Sequence, residues 1–277
     1  MADYEIKNGI GIIPEGTTNM SSCAFSAKVN DNALELQSIC IPDSVQEIGS
    51  LAFEGCKNLA KVEIPDSVKK IWGSAFKYCE KLSEIKLPKG LEKICDDTFN
   101  GCSSLNSVEI PETVKCIGDH AFTSCKSLTA VTIPDGVTEI GKGAFAMTGL
   151  TSVILPSALI KLGASAFSNT EITAVEIPAG IKKIDFCTFA SCANLKTVIL
   201  NGPSNIGANA FEKCPSLETV TLPAGIKDIG FDVFMGCTAL KTINVPAKKA
   251  DYYKKRLPEE LHSLIVELPA EKKAKKK

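Results

Sequence analysis

Residues 59–76 read LAKVEIPDSVKKIWGSAF, and the phrase returns as LSEIKLPKGLEKICDDTF (82–99), LNSVEIPETVKCIGDHAF (105–122) and LTAVTIPDGVTEIGKGAF (128–145). A self-similar period of 22–23 residues marks a stacked array. Each unit is too small to bury its apolar face alone and does so against its neighbours. The regular array opens at 36–53 (LQSICIPDSVQEIGSLAF) and continues through 150–167 (LTSVILPSALIKLGASAF) and 172–189 (ITAVEIPAGIKKIDFCTF). Residues 195–211 (LKTVILNGPSNIGANAF) are one residue short with the proline displaced to Pro203, and 217–234 (LETVTLPAGIKDIGFDVF) restore the pattern. Leu240, Ile243, Val245 and Pro246 open one more unit. Length changes fall in the tips between units, such as EGCKN (54–58) and AMTG (146–149), and in one turn, where a stack tolerates them.

Within a unit, Val62 and Ile64 alternate with Lys61 and Glu63, which predicts a short strand buried on one face. Pro65 ends it, because proline cannot donate to a ladder. Val68 and Ile71 supply a second inward pair on the return path. Ala75 is small enough for close backbone approach, Phe76 is the largest core wedge, and the segment that follows is short enough for one helical or 3-10 turn. In the stack each residue meets its equivalent about 4.8 Å away.

The chain divides into an amino-terminal cap and partial repeat (1–35), repeats (36–246), a carboxy-terminal cap (247–270) and a basic disordered tail (271–277). Ile12, Ile13, Pro14 and Phe25 carry the partial repeat, and 26–35 predict a surface loop. The second cap reads as a helix, a break at Pro258, a second short helix and a strand-like LIVELP.

The L-x-x-V/I-x-I/L-P, V-x-x-I-G and A-F-x-x-C phrases, recurring over roughly 36–246, resemble the BspA-type (Treponema-type) leucine-rich repeat. The resemblance implies a mostly β member of the α/β class: a right-handed leucine-rich-repeat solenoid with a parallel sheet along one side, short helical or 3-10 turns and capped ends. It also implies bacterial surface proteins, some of them adhesins for host matrix proteins.

Composition narrows the function. Hydrophobic residues make up 44%, enough for a core along the whole stack, and the net charge of −1 gives no field for nucleic acid or an anionic membrane. No run of 18 apolar residues occurs, so no membrane insertion is expected. The start MADYEIKNGIGIIPEG lacks the basic and apolar regions of a signal peptide, so the expected location is cytoplasmic, with the cell surface or secretion as the alternative for a trimmed leader. The lysines of the return path and tail lack interleaved aromatics, which argues against nucleic acid.

Chemistry-bearing residues are sparse. Cys56, Cys79, Cys102, Cys125, Cys192, Cys214 and Cys237 each lie three residues after a repeat phenylalanine, and Thr148 and Thr170 take that place in the intervening units. A position that accepts Cys or Thr requires a small side chain with a modest polar handle, not a sulfur–sulfur bond. Single cysteines about 23 residues apart do not converge as zinc ligands do, and parallel Cβ vectors disfavour disulfides. Cys23, Cys40, Cys95, Cys116 and Cys187 form no motif. The histidines, His120 in a turn and His262 in the cap, do not make a nucleophile–base pair, and no phosphate loop is found. The expectation is no enzyme, no cofactor and no metal.

Outward strand positions form two files. One runs Cys40, Glu63, Lys86, Glu109, Thr132, Ile154, Glu176, Ile199, Thr221, Asn244; the other includes Ser38, Lys61, Glu84 and Ser107, then small residues. Two readings stand. The alternating signs Glu63–Lys86–Glu109 and Lys61–Glu84 suit cross-strand stabilisation of about 0.2–1 kcal/mol each. Alternatively the face docks a protein partner, with Lys61, Glu63, Glu84, Lys86, Glu109, Thr132, Ile154, Glu176, Ile199 and Thr221 as contacts and Ile154 and Ile199 as exposed anchors. The function expected is a non-enzymatic scaffold. An exported adhesin and a self-associating structural body are the alternatives.

Overall fold

The structure is a computed structural model, and it describes residues 4–270. The expected tail at 271–277 lies outside the described residues.

Most coils have a face strand of three or four residues and a two-residue return strand. Lys61–Glu63 and Lys70–Ile71 are one such pair. Pro65 accepts the N–H of Val68 (3.1 Å), and Pro42, Pro88, Pro111, Pro134, Pro156 and Pro178 accept from the equivalent residue of their own coils. That bend turns the chain off the face and sets the spacing from proline to the next buried aliphatic residue.

Phenylalanine is the spine. From Phe25 through Phe53, Phe76, Phe99, Phe122, Phe145, Phe167, Phe189 and Phe211 to Phe234, successive rings lie 5.1–5.9 Å apart and within 15° of parallel. The centroids are further apart than the strand spacing of about 4.8 Å, as offset stacking requires. Phe76 and Phe99 are fully buried at 5.6 Å.

The corner around each phenylalanine is a run of tight turns rather than a helical turn. Glu54 N–H closes onto Leu51 O and Cys56 N–H onto Phe53 O. The intervening donors Leu51, Phe53 and Gly55 reach forward to Gly73, Ala75 and Lys77 of the next coil, at 2.8–3.2 Å. Alternate N–H groups therefore close the turn and stitch the stack. The arrangement needs a left-handed residue on each side of the phenylalanine: Leu51, Ser74, Asp97 and His120 have φ of +55° to +59°, and Tyr78 and Ser124 have +60° and +61°. Gly101 takes the second position at +78°, where a Cβ would meet Tyr78 Cδ1 at 2.4 Å. Helical elements lie outside the repeats, at Ala33–Glu35, Ala250–Lys254 and Glu259–Leu264.

The face ladder comes in three pieces. Glu5–Lys7 runs antiparallel to Ile10–Ile12, which pairs in parallel with Ser38–Cys40 and then Lys61–Glu63. Glu84–Lys86 pairs with Ser107–Glu109. Ala174–Ile177, Thr197–Leu200, Thr219–Thr221, Thr242–Val245 and Ile265–Glu267 form the last piece. Residues 130–132 and 152–154 carry no strand, whereas the return ladder crosses that stretch unbroken from Lys93–Ile94 to Lys161–Leu162.

At the carboxy end, Tyr253 is fully buried and donates to Pro223 O. Tyr252 Oη donates to Ile226 O at 2.5 Å, and Arg256 Nε to Lys227 O at 3.2 Å. Side chains thus satisfy carbonyls of the final return path that no further coil can serve.

Candidate functional site: a charged groove on the sheet face

The floor of the groove is apolar and fixed. Val62, Ile85 and Val108 point inward and are buried, so the residues on either side of them must point out. Lys61, Glu63, Glu84, Lys86 and Glu109 stand out from these strands and, with Thr132, line an open groove of about 1070 Å³. Its wall is Lys89, Glu112 and Thr113, in the turn after each strand proline. Thr113 Oγ1 holds that wall from between Lys89 O (2.8 Å) and Leu91 O (2.7 Å), its one proton serving either carbonyl. Sequence reasoning missed the wall, although the residue after each proline is itself a repeating position.

Of the ten residues read as contacts, these six surround the groove, and Ile154, Glu176, Ile199 and Thr221 lie outside it. Glu176, Ile199, Thr221 and Asn244 do form one row across paired strands. Thr132 and Ile154 fall where the ladder is absent. Ile154 is 86% exposed, but Ile199 is half-buried, which corrects its reading as an exposed anchor. Glu176 and Thr221 are engaged by Asn201 (2.7 Å) and Asn244 (3.3 Å).

The expected cross-strand ion pairs do not form. Lys61 Nζ lies 2.7 Å from Glu63 Oε1 within its own strand. Residues two apart share a face, and Lys61–Glu63 has no ladder to Glu84–Lys86, so the lysine reaches along its strand rather than across. That hydrogen bond raises the Lys61 pKa and lowers that of Glu63. Among the described residues, Glu84, Lys86 and Glu109 have no ion-pair partner within 4.0 Å, although Lys86 stands opposite Glu109 in register. The groove therefore presents an uncommitted ammonium between two uncommitted carboxylates. Beside it, Asp66 is held below the usual carboxylate range by the Lys89 N–H at 3.0 Å.

The cysteine file is structural. Cys56, Cys79, Cys102, Cys125, Cys192, Cys214 and Cys237 donate through Sγ to the phenylalanine carbonyl of the preceding coil at 3.1–3.2 Å. Thr148 and Thr170 donate instead to the phenylalanine of their own coil, at 2.8 and 3.0 Å. Burial pushes the Cys56 and Cys102 thiols up to about 12, and raises Cys79 and Cys125 well above their ordinary value. Among the described residues no group of three metal-ligating side chains converges. His120 Nδ1 meets Thr123 Oγ1 at 3.2 Å, and His262 Nε2 meets Leu257 O at 3.0 Å.

Comparison with known proteins agrees with this geometry. The family model of the BspA type leucine rich repeat region matches in 6 copies, over residues 24–149 and 115–241. A leucine rich cell surface protein from Faecalibacterium prausnitzii is similar in structure, with a TM-score of 0.57 and 26% identity over 99% of this chain and 87% of that one. A leucine-rich repeat protein from Bacteroides ovatus gives 0.45 and 20% over 97% and 98%. The pneumococcal vaccine antigen PcpA gives 0.47 and 21% over 87% and 79%. A search of curated proteins finds no match. Among the described residues, no helix is long and apolar enough to cross a membrane.

Proposed function

The chain belongs to the BspA-type leucine-rich-repeat family, and from that premise we propose that it is a non-enzymatic scaffold that docks a protein partner in the charged groove of its sheet face. The carrying observation is Lys86, unpaired between Glu84 and Glu109 above a buried floor. A rigid face binds without first ordering loops, so little of the interaction energy is lost to immobilisation. Fixed charges of both signs give register and exclude wrong partners more than they add affinity. Ile154, beyond the groove, adds an apolar contact at the rim.

We propose surface display as the setting. Support comes from the F. prausnitzii protein, whose description is a cell surface protein and whose coils align with nearly all of this chain. The cytoplasmic location expected from the first residues draws no such support. The division at 1–35, 36–246 and 247–270 belongs to the same proposal.

Two measurements test this reading. Surface biotinylation of intact native cells should label the chain; labelling only after lysis would remove the surface setting. An array of purified extracellular proteins should yield a partner whose binding Lys86→Glu weakens at least tenfold, equivalent to about 1.4 kcal/mol. Ile154→Asp should weaken it as well. Unchanged binding by both variants, with circular dichroism unaltered, would move the docking site off this face.

A further inference from the structure

The stack has a direction, and its last corner is unfinished. In every internal corner, three alternate N–H groups donate forward to carbonyls of the next coil. Asn209, Phe211 and Lys213 do so to Phe231, Val233 and Met235 at 2.7–3.1 Å. The equivalent donors of the final coil are Asp232, Phe234 and Gly236, and among the described residues none of the three has an acceptor. The cap does not supply one. Its Tyr252, Tyr253 and Arg256 bonds go to carbonyls of the return path, not to the corner.

The three donors line a groove of about 700 Å³ between the last corner and the cap, with Leu257 and Leu261 opposite Phe234. Phe231 (72% exposed) and Met235 (47% exposed) stand on its corner side. The other end of the stack is closed differently. Tyr4 packs edge-on against Phe25 at 5.4 Å, and its hydroxyl accepts the Ser21 N–H. A second copy approaching head-to-tail would have to displace that tyrosine before its first coil could reach the unfinished corner. This favours a foreign segment over self-stacking.

We propose that the carboxy-terminal groove binds a turn-forming peptide segment of a partner protein that carries an aromatic residue between small residues. The segment docks as one more corner. Carbonyls at alternate residues accept from Asp232, Phe234 and Gly236, and its aromatic ring packs at the groove mouth against Phe231, Met235 and Leu261, because Phe234 and Leu257 are already buried. Small flanking residues are required because the internal corners place Ala beside Phe, as in Ala121–Phe122 and Ala144–Phe145, both fully buried. This is strand-addition logic transferred from a sheet edge to a corner: main-chain bonds supply affinity and one pocket supplies specificity.

The probe is the synthetic peptide IGKGAFAMTGL, the sequence of residues 140–150, titrated into the ¹⁵N-labelled full chain. The expected result is saturable shifts confined to the Asp232, Phe234 and Gly236 amides and their neighbours, with exchange of those amides slowed about tenfold. The same peptide carrying F145A, and the protein variant Thr238→Trp at the exposed rim, should each abolish the shifts. If Thr238→Trp disturbs the cap, Met235→Glu on the exposed wall serves in its place. Unmoved amides, or equal shifts with the F145A peptide, would overturn the proposal. So would shifts that follow protein concentration without peptide, which would assign the groove to a second copy. The sheet-face groove is a separate site, so the Lys86→Glu result neither rescues nor sinks this one.

Discussion

Replacing Phe122 by alanine tests the spine where it is most constrained. The ring is fully buried and stacks on both sides at 5.3 Å, on Phe99 and on Phe145. Removing a buried phenylalanine costs about 3–5 kcal/mol, more where the surroundings cannot collapse into the void. Here collapse is hindered, because the Phe122 N–H is tied to Ala144 O at 2.8 Å and both neighbouring corners are stitched in the same way. The expected loss is about 4–5 kcal/mol, with the two ring pairs, at about 0.5–1.5 kcal/mol each, counted inside it. Phe234 has one ring neighbour, at 5.9 Å, and is 7% exposed, so Phe234→Ala should cost about 2–3 kcal/mol. Phe231 is 72% exposed, and Phe231→Ala should fall within about 0.5 kcal/mol of the parent. Urea unfolding followed by circular dichroism gives the order of midpoints. A break in the middle of a stack weakens one nearest-neighbour interface, so the Phe122 variant should also broaden or split its transition. Equal midpoints for the three variants, or a loss below about 1.5 kcal/mol at Phe122, would refute a continuous ring column as the main support.

The thiols offer a second test: iodoacetamide at neutral pH should modify Cys40 first and leave Cys56, Cys79, Cys102 and Cys125 unmodified until denaturant is added, as read by peptide mass spectrometry. Cys125→Thr should cost under about 1 kcal/mol, since threonine occupies this position in two coils, whereas Cys125→Asp buries a charge and should cost at least about 3 kcal/mol in urea titration. Glu267 accepts the Ala250 N–H at 2.8 Å, and that bond, with those from Lys248 and Lys249, lowers its pKa below the usual value. A depressed folded pKa gives stabilisation that is present above the unfolded value and lost as pH falls through the folded one. Acidification through the carboxylate range should therefore loosen the helix Ala250–Lys254 first, and Glu267→Gln should remove that pH dependence; amide shifts of Ala250 unchanged between the two chains would contradict it.

Much of the fold was legible because a repeat converts each local signal into a column. Phe76 alone is a buried aromatic residue; recurring at a fixed spacing it becomes a stack. The Cys/Thr alternation likewise foretold a small donor, and the structure adds which carbonyl it serves. Corner geometry was hidden because residues such as Leu51, Ser74 and His120 hold a conformation that glycine usually announces. The forward hydrogen bonds offset the steric cost, and no residue type encodes them. The groove was half legible: period-two alternation put Lys61, Glu84 and Lys86 outward, but not which carboxylate Lys61 would choose. Ile199 was misread because alternation gives direction without depth. The unfinished corner had one trace in the sequence: Phe234 is the last phenylalanine, although Leu240 to Pro246 begin another unit.

The gap in the face ladder explains how such a scaffold can vary its binding surface. Between residues 110 and 173 the face lacks paired strands, yet the ring column runs through at 5.3, 5.3 and 5.4 Å from Phe99 to Phe167. The return ladder also runs through. In the same coils Thr148 and Thr170 turn their hydroxyls to the phenylalanine carbonyl of their own coil, so neither makes the bond to the preceding coil's phenylalanine that cysteine makes elsewhere. The stack survives both losses, so over these coils its continuity rests on the corner and the return path rather than on the face. Outward residues of the face are then under little structural demand. An exposed isoleucine at 154 can be carried there without cost to the fold, which is the condition for a face selected by what it touches.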